Sequence, residues 1–237
     1  MHRFYPIQND AGLFQLTEED VHHARNVLRL KPGDIIEIAN RGLRFQAALQ
    51  KDGLLEIISP LPSTEPNLRI TLFQGLPKGD KMDWIVQKAV EVGVSSIVPV
   101  RMERCVVQLR QEDERKKQTR WQRIAREAGK QSGRCLLPEV SLPVSVNDLP
   151  DLVRSMDAAL VPWEQASAIG PKAWYSTHTD VRSLGILIGP EGGISSGEIE
   201  MIRESFQPIT LGPRIFRTET AGLAASAAIL ALFGEME

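Results

Sequence analysis

The sequence has little of what marks secreted, metal-binding or membrane proteins. Its 237 residues include only two cysteines, Cys105 and Cys135, too few for a disulfide framework and without histidines at the spacing of a zinc site. Residues 1–6 lack the apolar core of a signal peptide, and the most apolar stretch near the C-terminus is too short to span a bilayer. We therefore predict a soluble cytoplasmic protein with reduced cysteines and no metal site.

The sequence as a whole also lacks a strong charge of either sign. Its formal net charge is −2 and its pI is about 6.1, which does not indicate a nucleic-acid partner. Basic residues are nevertheless concentrated in residues 101–134, which contain eleven Lys or Arg and five Asp or Glu. On a helix, the cationic side would carry Lys116, Arg120, Arg123, Lys130 and Arg134, opposite an apolar side with Trp121, Ile124, Ala125 and Ala128. A solvated outer face and a contact with an RNA backbone both explain this pattern.

Two loops in the second half of the chain follow apolar strands. Residues 184–188 form an unbroken apolar run, typical of a strand covered on both faces, and the run ends at Gly189. A capping-box pattern at Ser195 predicts that a helix follows the loop. Residues 208–212 and a helix at residues 221–233 repeat this arrangement. Both loops are therefore expected at the carboxyl ends of strands, where open α/β sheets bind ligands.

The first of these loops lacks the common phosphate-binding patterns. Residues 189–193 (GPEGG) have neither the GxGxxG spacing nor the lysine of GxxxxGK[ST]. The carboxylate of Glu191 also disfavours a polyphosphate, because both groups are negatively charged. A cationic or neutral ligand would suit this loop better.

The first part of the chain is rich in predicted strands. These lie at residues 34–39, 43–49 and 54–58. A predicted helix starts at Thr17 and continues to Leu30. One side of this helix would carry the basic side chains of His22, Arg25 and Arg29. Residues 59–66 contain three prolines, which indicate a linker, so we predict a small β-barrel domain at residues 1–66.

The remainder, residues 67–237, has the pattern of an α/β domain. A strand, a helix and a second strand are predicted at residues 68–75, 80–92 and 96–100. Gly93 ends the helix, and this order of elements indicates a βαβ unit with parallel strands. A further strand at residues 158–162 precedes a third candidate ligand loop at Trp163 and Glu164.

Several motifs together carry a family resemblance. Residues 189–193 (GPEGG) and 211–221 (LGPRIFRTETA) resemble the ribosomal RNA small subunit methyltransferase E family, one of the SPOUT methyltransferases. Further matches, which extend the resemblance over nearly the whole chain, are residues 78–83 (KGDKMD), 120–134, 22–29 and 3–5. Phe216 departs from the family pattern, since a branched aliphatic residue is expected there, and this difference bears on packing rather than on activity.

The resemblance implies an α/β enzyme with a PUA-like N-terminal β-barrel and a C-terminal SPOUT domain that contains a deep trefoil knot. General topology rules alone would predict an unknotted chain. The resemblance also implies S-adenosyl-L-methionine as cofactor, and N3 of one uridine in 16S ribosomal RNA of the small subunit as the methylated atom. It further implies a homodimer. A membrane partner is not expected.

The resemblance assigns the cofactor to three loops. Backbone groups in these loops are expected to read the adenine, because glycine permits close approach. The cofactor-binding residues that it implies are Pro162, Glu164, Gly189, Pro190, Glu191, Gly192, Leu211, Gly212, Ile215 and Thr220.

Two further residues are candidates for the reaction itself. Uracil N3 is a poor nucleophile until its imide proton leaves, so the enzyme must stabilise a developing anion. Arg217 is the first candidate for this role, and a surface salt bridge is its alternative explanation. Glu219 either accepts the proton or holds Arg217 in place, and we favour the second role because a carboxylate near an arginine is a weak base. Glu191 is the second candidate base.

RNA binding requires phosphate contacts and planar side chains that stack on bases. The candidates are Arg3, His22, Arg25, Arg29, Arg120 and Arg123. Ordinary surface exposure explains His22 nearly as well. Two other functions remain open, since a fold does not determine a function. One is a SPOUT enzyme that methylates a ribose 2′-hydroxyl or another base, and the other is an RNA-binding module without catalysis.

Overall fold

The chain divides into two units, and the N-terminal unit includes a short segment from the middle of the sequence. The computed structural model describes residues 2–107, 109–164 and 169–237. One unit consists of residues 1–65 and 129–137, and the other of residues 66–128 and 138–237. The predicted ranges 1–66 and 67–237 did not anticipate that residues 129–137 group with the N-terminal unit.

The N-terminal unit is built mainly of strands. Its elements are β1 (Arg3–Phe4), β2 (Ile7–Gln8), β3 (Phe14–Gln15), α1 (Glu18–His22), β4 (Ile35–Asn40), β5 (Leu43–Leu49) and β6 (Leu55–Leu61). One sheet has the order β1-β4-β5-β6, in which β1 is parallel to β4 and the other pairs are antiparallel. β2 and β3 form a separate antiparallel pair. The three strands predicted in this region are confirmed.

Two elements of this unit, a strand and a helix, end at residues other than those predicted. β6 continues through Pro60 to Leu61, because it is an edge strand, where a missing N–H costs no sheet hydrogen bond. The predicted helix to Leu30 stops early, since α1 is followed by a π-helical turn at His23–Val27. Arg29 then has φ of 57°, a left-handed conformation that ends the helix. Arg29 therefore does not share a helical side with His22 and Arg25.

The second unit is an α/β domain. Its elements are β7 (Arg69–Gly75), α2 (Lys81–Val92), β8 (Ser96–Arg101), α3 (Gln111–Ser132), β9 (Glu139–Val140), β10 (Val144–Ser145), α4 (Leu149–Val153), β11 (Ala158–Pro162), α5 (Pro171–Tyr175), β12 (Ser183–Ile188), α6 (Ser196–Ile202), β13 (Gln207–Ile209) and α7 (Thr218–Leu232). The last four residues of α3 belong to the N-terminal unit. The sheet has the order β10-β8-β7-β12-β11-β13, and β9 also pairs with β8. All these pairs are parallel, which confirms the predicted βαβ unit.

The central strand β12 is covered on both faces, as its unbroken apolar sequence predicts. Leu184, Ile186 and Ile188 pack into one core with α2 and α7. Leu187 points to a second core on the opposite face, with residues of α4 and α6. Gly222 of α7 allows this helix to lie close to the sheet, because a Cβ atom there would be 3.1 Å from Leu72 Cδ1.

The structure also bears on cysteine chemistry and on membrane association. Cys105 and Cys135 are both free thiols. Within the described residues, no cluster of three or more His, Cys, Asp or Glu side chains is arranged to hold a metal ion. No helix in this part of the chain combines the length and the hydrophobicity that a membrane span requires.

Candidate active site

The carboxyl ends of four neighbouring strands meet at one edge of the parallel sheet. These strands are β7, β12, β11 and β13. The loops after β11, β12 and β13 line two adjoining cavities of about 410 and 690 Å³. This arrangement confirms that both predicted ligand loops lie at carboxyl strand ends, the edge at which open α/β sheets bind ligands.

The predicted cofactor residues are divided between the two cavities. The smaller cavity is lined mainly by residues 188–194 and 215–219, and the larger one by residues 210–216. Residues 162–164 border both cavities. Of the predicted residues, Pro162, Glu164, Gly189, Pro190, Glu191, Gly192, Leu211, Gly212 and Ile215 line one or both cavities. Thr220 is the exception and lines neither of them.

Two sets of hydrogen bonds fix the loop after β12. One set lies where the loop ends and α6 begins, and the other comes from the segment that follows β8. Glu198 N donates to Ser195 Oγ at 3.3 Å, and Ser195 N donates to Glu198 Oε2 at 3.0 Å, which confirms the predicted capping box. Glu103 N donates to the other carboxylate oxygen of Glu198 at 2.7 Å. Arg104 donates to the carbonyl oxygen of Gly192 at 3.0 Å. The contacts of Glu103 and Arg104 escaped sequence reasoning because they join distant parts of the chain.

Two glycines allow close packing at the loop after β12, one between β7 and the loop and the other within the loop itself. A Cβ atom on Gly75 would lie 2.7 Å from the ring Cδ of Pro190. A Cβ atom on Gly189 would lie 2.7 Å from Ile194 Cγ1. Any side chain at either position would therefore push the loop away from its neighbours.

Lys81, in the first turn of α2, joins two carboxylates in the smaller cavity. Its Nζ lies 2.9 Å from Glu191 Oε1 and 3.2 Å from Glu219 Oε2. The backbone N–H of Lys78 also donates to Glu191 Oε1 at 3.1 Å. Sequence reasoning placed Lys81 in a matching motif without giving it a role. Its role became visible only because the fold brings α2 beside both loops.

These contacts keep both carboxylates ionised. Burial acts to raise the pKa of Glu191, but hydrogen bonds from Lys81 and from backbone N–H groups outweigh it and hold this pKa below its usual value. A hydrogen bond from its own backbone N–H, together with Lys81, lowers the pKa of Glu219. The contact with Glu191, followed by the ion pair with Glu219, raises the pKa of Lys81. Carboxylates with lowered pKa values are weak bases, which favours a holding role for both.

Arg217 lines the smaller cavity and is exposed. Its carbonyl oxygen accepts from the N–H groups of Thr220 at 2.8 Å and Ala221 at 2.9 Å, at the start of α7. Glu219 forms its ion pair with Lys81 rather than with Arg217, but the charge of Arg217 also acts to lower the pKa of Glu219. Among the described residues, no carboxylate forms an ion pair with the Arg217 guanidinium. This cation therefore remains available at the cavity.

The predicted RNA-binding residues of the N-terminal unit differ in their exposure. His22, Arg25 and Arg29 are exposed. The side chain of Arg3 is only 7% exposed, because it pairs with Glu37 at 2.6 Å and donates to the carbonyl oxygen of Arg134. Arg3 therefore offers little free surface to RNA, and its RNA contact stays a prediction.

The cationic side of α3 is less free than its sequence indicates. Arg123 is exposed, but Arg120 forms an ion pair with Asp83. Trp121, Ala125 and Ala128 are buried, as predicted for the apolar side.

Two members of the predicted cationic side are engaged within the N-terminal unit. Lys130 Nζ lies 2.8 Å from Asp20 Oδ1. Arg134 lies beyond the end of α3 and is buried, with its Nη2 2.7 Å from Glu65 Oε2. Glu65 also accepts from the N–H of Leu136 at 2.9 Å. The placement of Arg134 on a solvated cationic face was therefore wrong, since the helix ends before it and Glu65 draws it inward.

Comparison with known proteins identifies the family. An RNA methyltransferase domain model matches residues 64–230, and an RNA methyltransferase PUA domain model matches residues 16–58. The ribosomal RNA small subunit methyltransferase E of Bacillus subtilis is 37% identical over 93% of this chain and 90% of its own length. The chain belongs to the ribosomal RNA small subunit methyltransferase E family. It has a PUA-like N-terminal domain and an α/β methyltransferase domain with a parallel sheet.

Other members of the methyltransferase E family agree with this assignment. The protein of the same name from Buchnera aphidicola subsp. Acyrthosiphon pisum is 32% identical over 98% of this chain and 94% of its own length. The crystal structure of ribosomal RNA small subunit methyltransferase E from Neisseria gonorrhoeae, bound to S-adenosyl methionine, is 34% identical. It superposes with a TM-score of 0.83 over 98% of each chain.

Proposed function

We propose that this protein transfers a methyl group from S-adenosyl-L-methionine to N3 of one uridine in 16S ribosomal RNA of the small subunit. The observation that carries this proposal is the cavity that combines a glycine-rich loop with the unpaired cation of Arg217. Membership of the methyltransferase E family supports both the cofactor and the RNA substrate. Because the proposed substrate lies in the cytoplasm, we expect the protein to act there.

The smaller cavity fits the proposed cofactor in shape and charge. Gly189 and Gly192 keep its wall free of side chains, and a volume of about 410 Å³ lies in the range of small-molecule sites. Glu164 and Glu191 give it carboxylates, which suit a ligand with a sulfonium and an ammonium group. The residues proposed to hold the cofactor are Pro162, Glu164, Gly189, Pro190, Glu191, Gly192, Leu211, Gly212, Ile215 and Thr220. Of these, Leu211 and Gly212 line only the larger cavity, and Thr220 lines neither. When bound, the cofactor supplies an activated methyl group.

The residues of the chain must then orient uracil and stabilise the negative charge that develops as its imide proton leaves. We assign this stabilisation to Arg217, because its guanidinium is free and lies at the cavity. Glu219 and Glu191 have lowered pKa values, so we assign them to holding Lys81 and the loops rather than to accepting the proton.

RNA binding is assigned to exposed cationic and aromatic side chains in both units. In the N-terminal unit these are His22, Arg25 and Arg29, and in the second unit Arg120 and Arg123. Replacing Arg25 and Arg29 by Gln should reduce RNA affinity and lower the slope of log K against log salt by about 1.4, if each contacts one phosphate of single-stranded RNA. The matched control replaces two other exposed cations of this unit, Arg41 and Lys51, by Gln. An unchanged slope in the Arg25 and Arg29 variant would contradict the assignment.

The finer features of the fold are also part of the proposal. We propose a β-barrel at residues 1–66 and a trefoil-knotted methyltransferase domain at residues 67–237. Membership of the methyltransferase E family supports the knot. After the edge strand β13, α7 returns to pack on the central strands β7 and β12 and on α2. We further propose a homodimer, which light scattering would test.

The test of the proposed reaction uses labelled S-adenosyl-L-methionine and small ribosomal subunits that lack the modification. After incubation, the RNA is digested and the labelled nucleoside is identified. We expect 3-methyluridine. A 2′-O-methylated nucleoside or another methylated base would show a different target. Cofactor binding without any label would favour a non-catalytic RNA-binding role.

The same assay distinguishes the state of the RNA substrate. We expect label in assembled subunits, and a parallel reaction with naked 16S ribosomal RNA tests whether the assembled subunit is needed. Equal labelling of both substrates would contradict a requirement for the subunit.

A further inference from the structure

Three segments of the chain beside the smaller cavity are joined by a line of hydrogen bonds. The Thr218 hydroxyl donates to the carbonyl oxygen of Gly189 at 2.6 Å and accepts from Gln74 Nε2 at 2.9 Å. Gln74 Nε2 also donates to the carbonyl oxygen of Gly75 at 3.0 Å. We call Gln74, Thr218 and Gly189 the relay. It connects the end of β7, the residue after β12 and the first residue of α7.

The chemistry of the partners fixes the direction of each bond in the relay. The carbonyl oxygens of Gly75 and Gly189 can only accept. The nitrogen of the Gln74 amide must therefore face Gly75, and the hydroxyl hydrogen of Thr218 must face Gly189. The Thr218 oxygen then serves as acceptor for the same Gln74 nitrogen. A rotated Gln74 amide would place an oxygen against two acceptors.

The relay is sheltered from water. Gln74 is 0% exposed and Thr218 is 7% exposed. The remaining amide oxygen of Gln74 has no hydrogen-bond partner among the described residues, and a buried acceptor in this state destabilises the fold. An apolar side chain of similar size would avoid this cost. The presence of a glutamine therefore indicates that its donor group is needed at this place.

We propose that Thr218 and Gln74 are positioning residues for cofactor binding. Through Gly189, they fix the start of the loop after β12 relative to the segment that leads into α7. This inference rests on the proposed function, since both segments carry residues proposed to bind S-adenosyl-L-methionine. A loop that is already ordered binds its ligand without a further entropic cost, so losing the relay should weaken binding.

The main test compares two substitutions of Thr218. Thr218→Val removes the hydroxyl at nearly constant shape, whereas Thr218→Ser keeps it. By titration calorimetry with S-adenosyl-L-methionine, we expect the valine variant to bind about tenfold more weakly and the serine variant to recover most of that loss. The KM for RNA should change little. Ser226→Ala is the matched control, because it removes another buried hydroxyl of α7, one without a hydrogen-bond partner among the described residues.

A second readout needs no cofactor. Amide hydrogen exchange of the free protein should be faster in the valine variant for residues 191–194, 212 and 214–217, while the control resembles the wild type. Gln74→Met breaks the relay from its other end at similar side-chain size. It should weaken binding to a similar extent, and it replaces the valine variant in the test if that variant does not fold.

The outcomes separate this inference from the proposed function. Wild-type binding of the cofactor, together with unchanged affinity and unchanged exchange in the Thr218→Val and Gln74→Met variants, would overturn the positioning role alone. A serine variant as defective as the valine variant would also overturn it, because the hydroxyl would then not be responsible. Failure of the wild type to bind S-adenosyl-L-methionine would overturn both.

Discussion

The two loops that border the smaller cavity are held in different ways. Residues 189–194 receive three hydrogen bonds from distant parts of the chain, each between 2.6 and 3.1 Å. In residues 211–217 the hydrogen bonds described are local. Gly212 N donates to Thr210 Oγ1 at 3.1 Å, and the carbonyl oxygen of Arg217 accepts from the N–H groups of Thr220 and Ala221. This second loop also exposes 84% of Ile215.

The difference indicates one preformed wall and one adaptable wall. A ligand that binds against residues 189–194 meets groups that are already in place. A ligand that binds against residues 211–217 must supply the contacts that this loop lacks. The exposed Ile215 offers apolar area for such contacts, and Arg217 offers a positive charge. We infer that the first loop is ordered before the cofactor binds, whereas the second becomes ordered through contacts with the cofactor and the RNA.

The largest expected effect tests the charge on the adaptable loop. Arg217→Ala should lower turnover on RNA by at least about 100-fold, because it removes the donor aimed at the developing negative charge. Affinity for S-adenosyl-L-methionine should change by less than about twofold, since such a group acts mainly in the transition state. Steady-state kinetics and titration calorimetry measure the two effects. Arg214→Ala, on the same loop, is the control and should retain most of the turnover. Near-normal turnover in the Arg217 variant would remove this residue from the proposed mechanism.

A smaller effect tests the preformed loop. Gly189→Ala adds a Cβ atom 2.7 Å from Ile194 Cγ1, so we expect cofactor affinity to fall about tenfold and the free energy of unfolding to fall by about 1–3 kcal/mol. Calorimetry and urea unfolding measure these changes. Gly197→Ala in α6 is the control, because a Cβ atom there has nothing within 4 Å. If both variants behaved alike, the close approach at Gly189 would not matter.

Ile215→Ser tests the exposed apolar side chain of the loop at residues 211–217. Because Ile215 is largely exposed, its replacement should leave the free energy of unfolding within about 0.5 kcal/mol of the wild type. If the loop buries this side chain against a ligand, affinity for the cofactor or the RNA should fall severalfold. A stability loss without an affinity loss would show that the side chain packs in the free protein.

The smallest effect concerns the ion pairs of Lys81 with Glu191 and Glu219. Both carboxylates have lowered pKa values, so their stabilising contribution is present above about pH 4.3 and is lost as the pH falls through the folded-state values. Lys81→Met should lower Tm at pH 7 by no more than about 3 °C, and should make Tm less sensitive to acid between pH 7 and pH 3. Lys78→Met is the control, since Lys78 contributes its backbone N–H rather than its side chain. Parallel pH curves for the Lys81 variant and the wild type would contradict this account.

The features that the sequence predicted depend on neighbours along the chain. The capping box at Ser195 and Glu198 lies within four residues. The unbroken apolar sequence of β12 is enough by itself to predict that this strand is buried. The positions of the two ligand loops at carboxyl strand ends followed from such local patterns.

The features that escaped prediction depend on partners far away in sequence. Lys81 meets Glu191 and Glu219 only after the sheet has formed, and Glu65 draws Arg134 out of the cationic face in the same way. Helical periodicity assigns each residue to a face of the helix. It contains no information about an acidic residue far away in the sequence that will pair with one of them. It also cannot show where the helix ends, which is why Arg29 was misplaced.

The grouping of residues 129–137 with residues 1–65 has a consequence for synthesis on the ribosome. The first 65 residues emerge early, but Glu65 then lacks Arg134, and Arg3 lacks the carbonyl oxygen of Arg134. These bonds form only after more than half of the 237 residues have been made. The N-terminal unit can therefore begin to fold early, but it cannot complete its folding until residues 129–137 have been made.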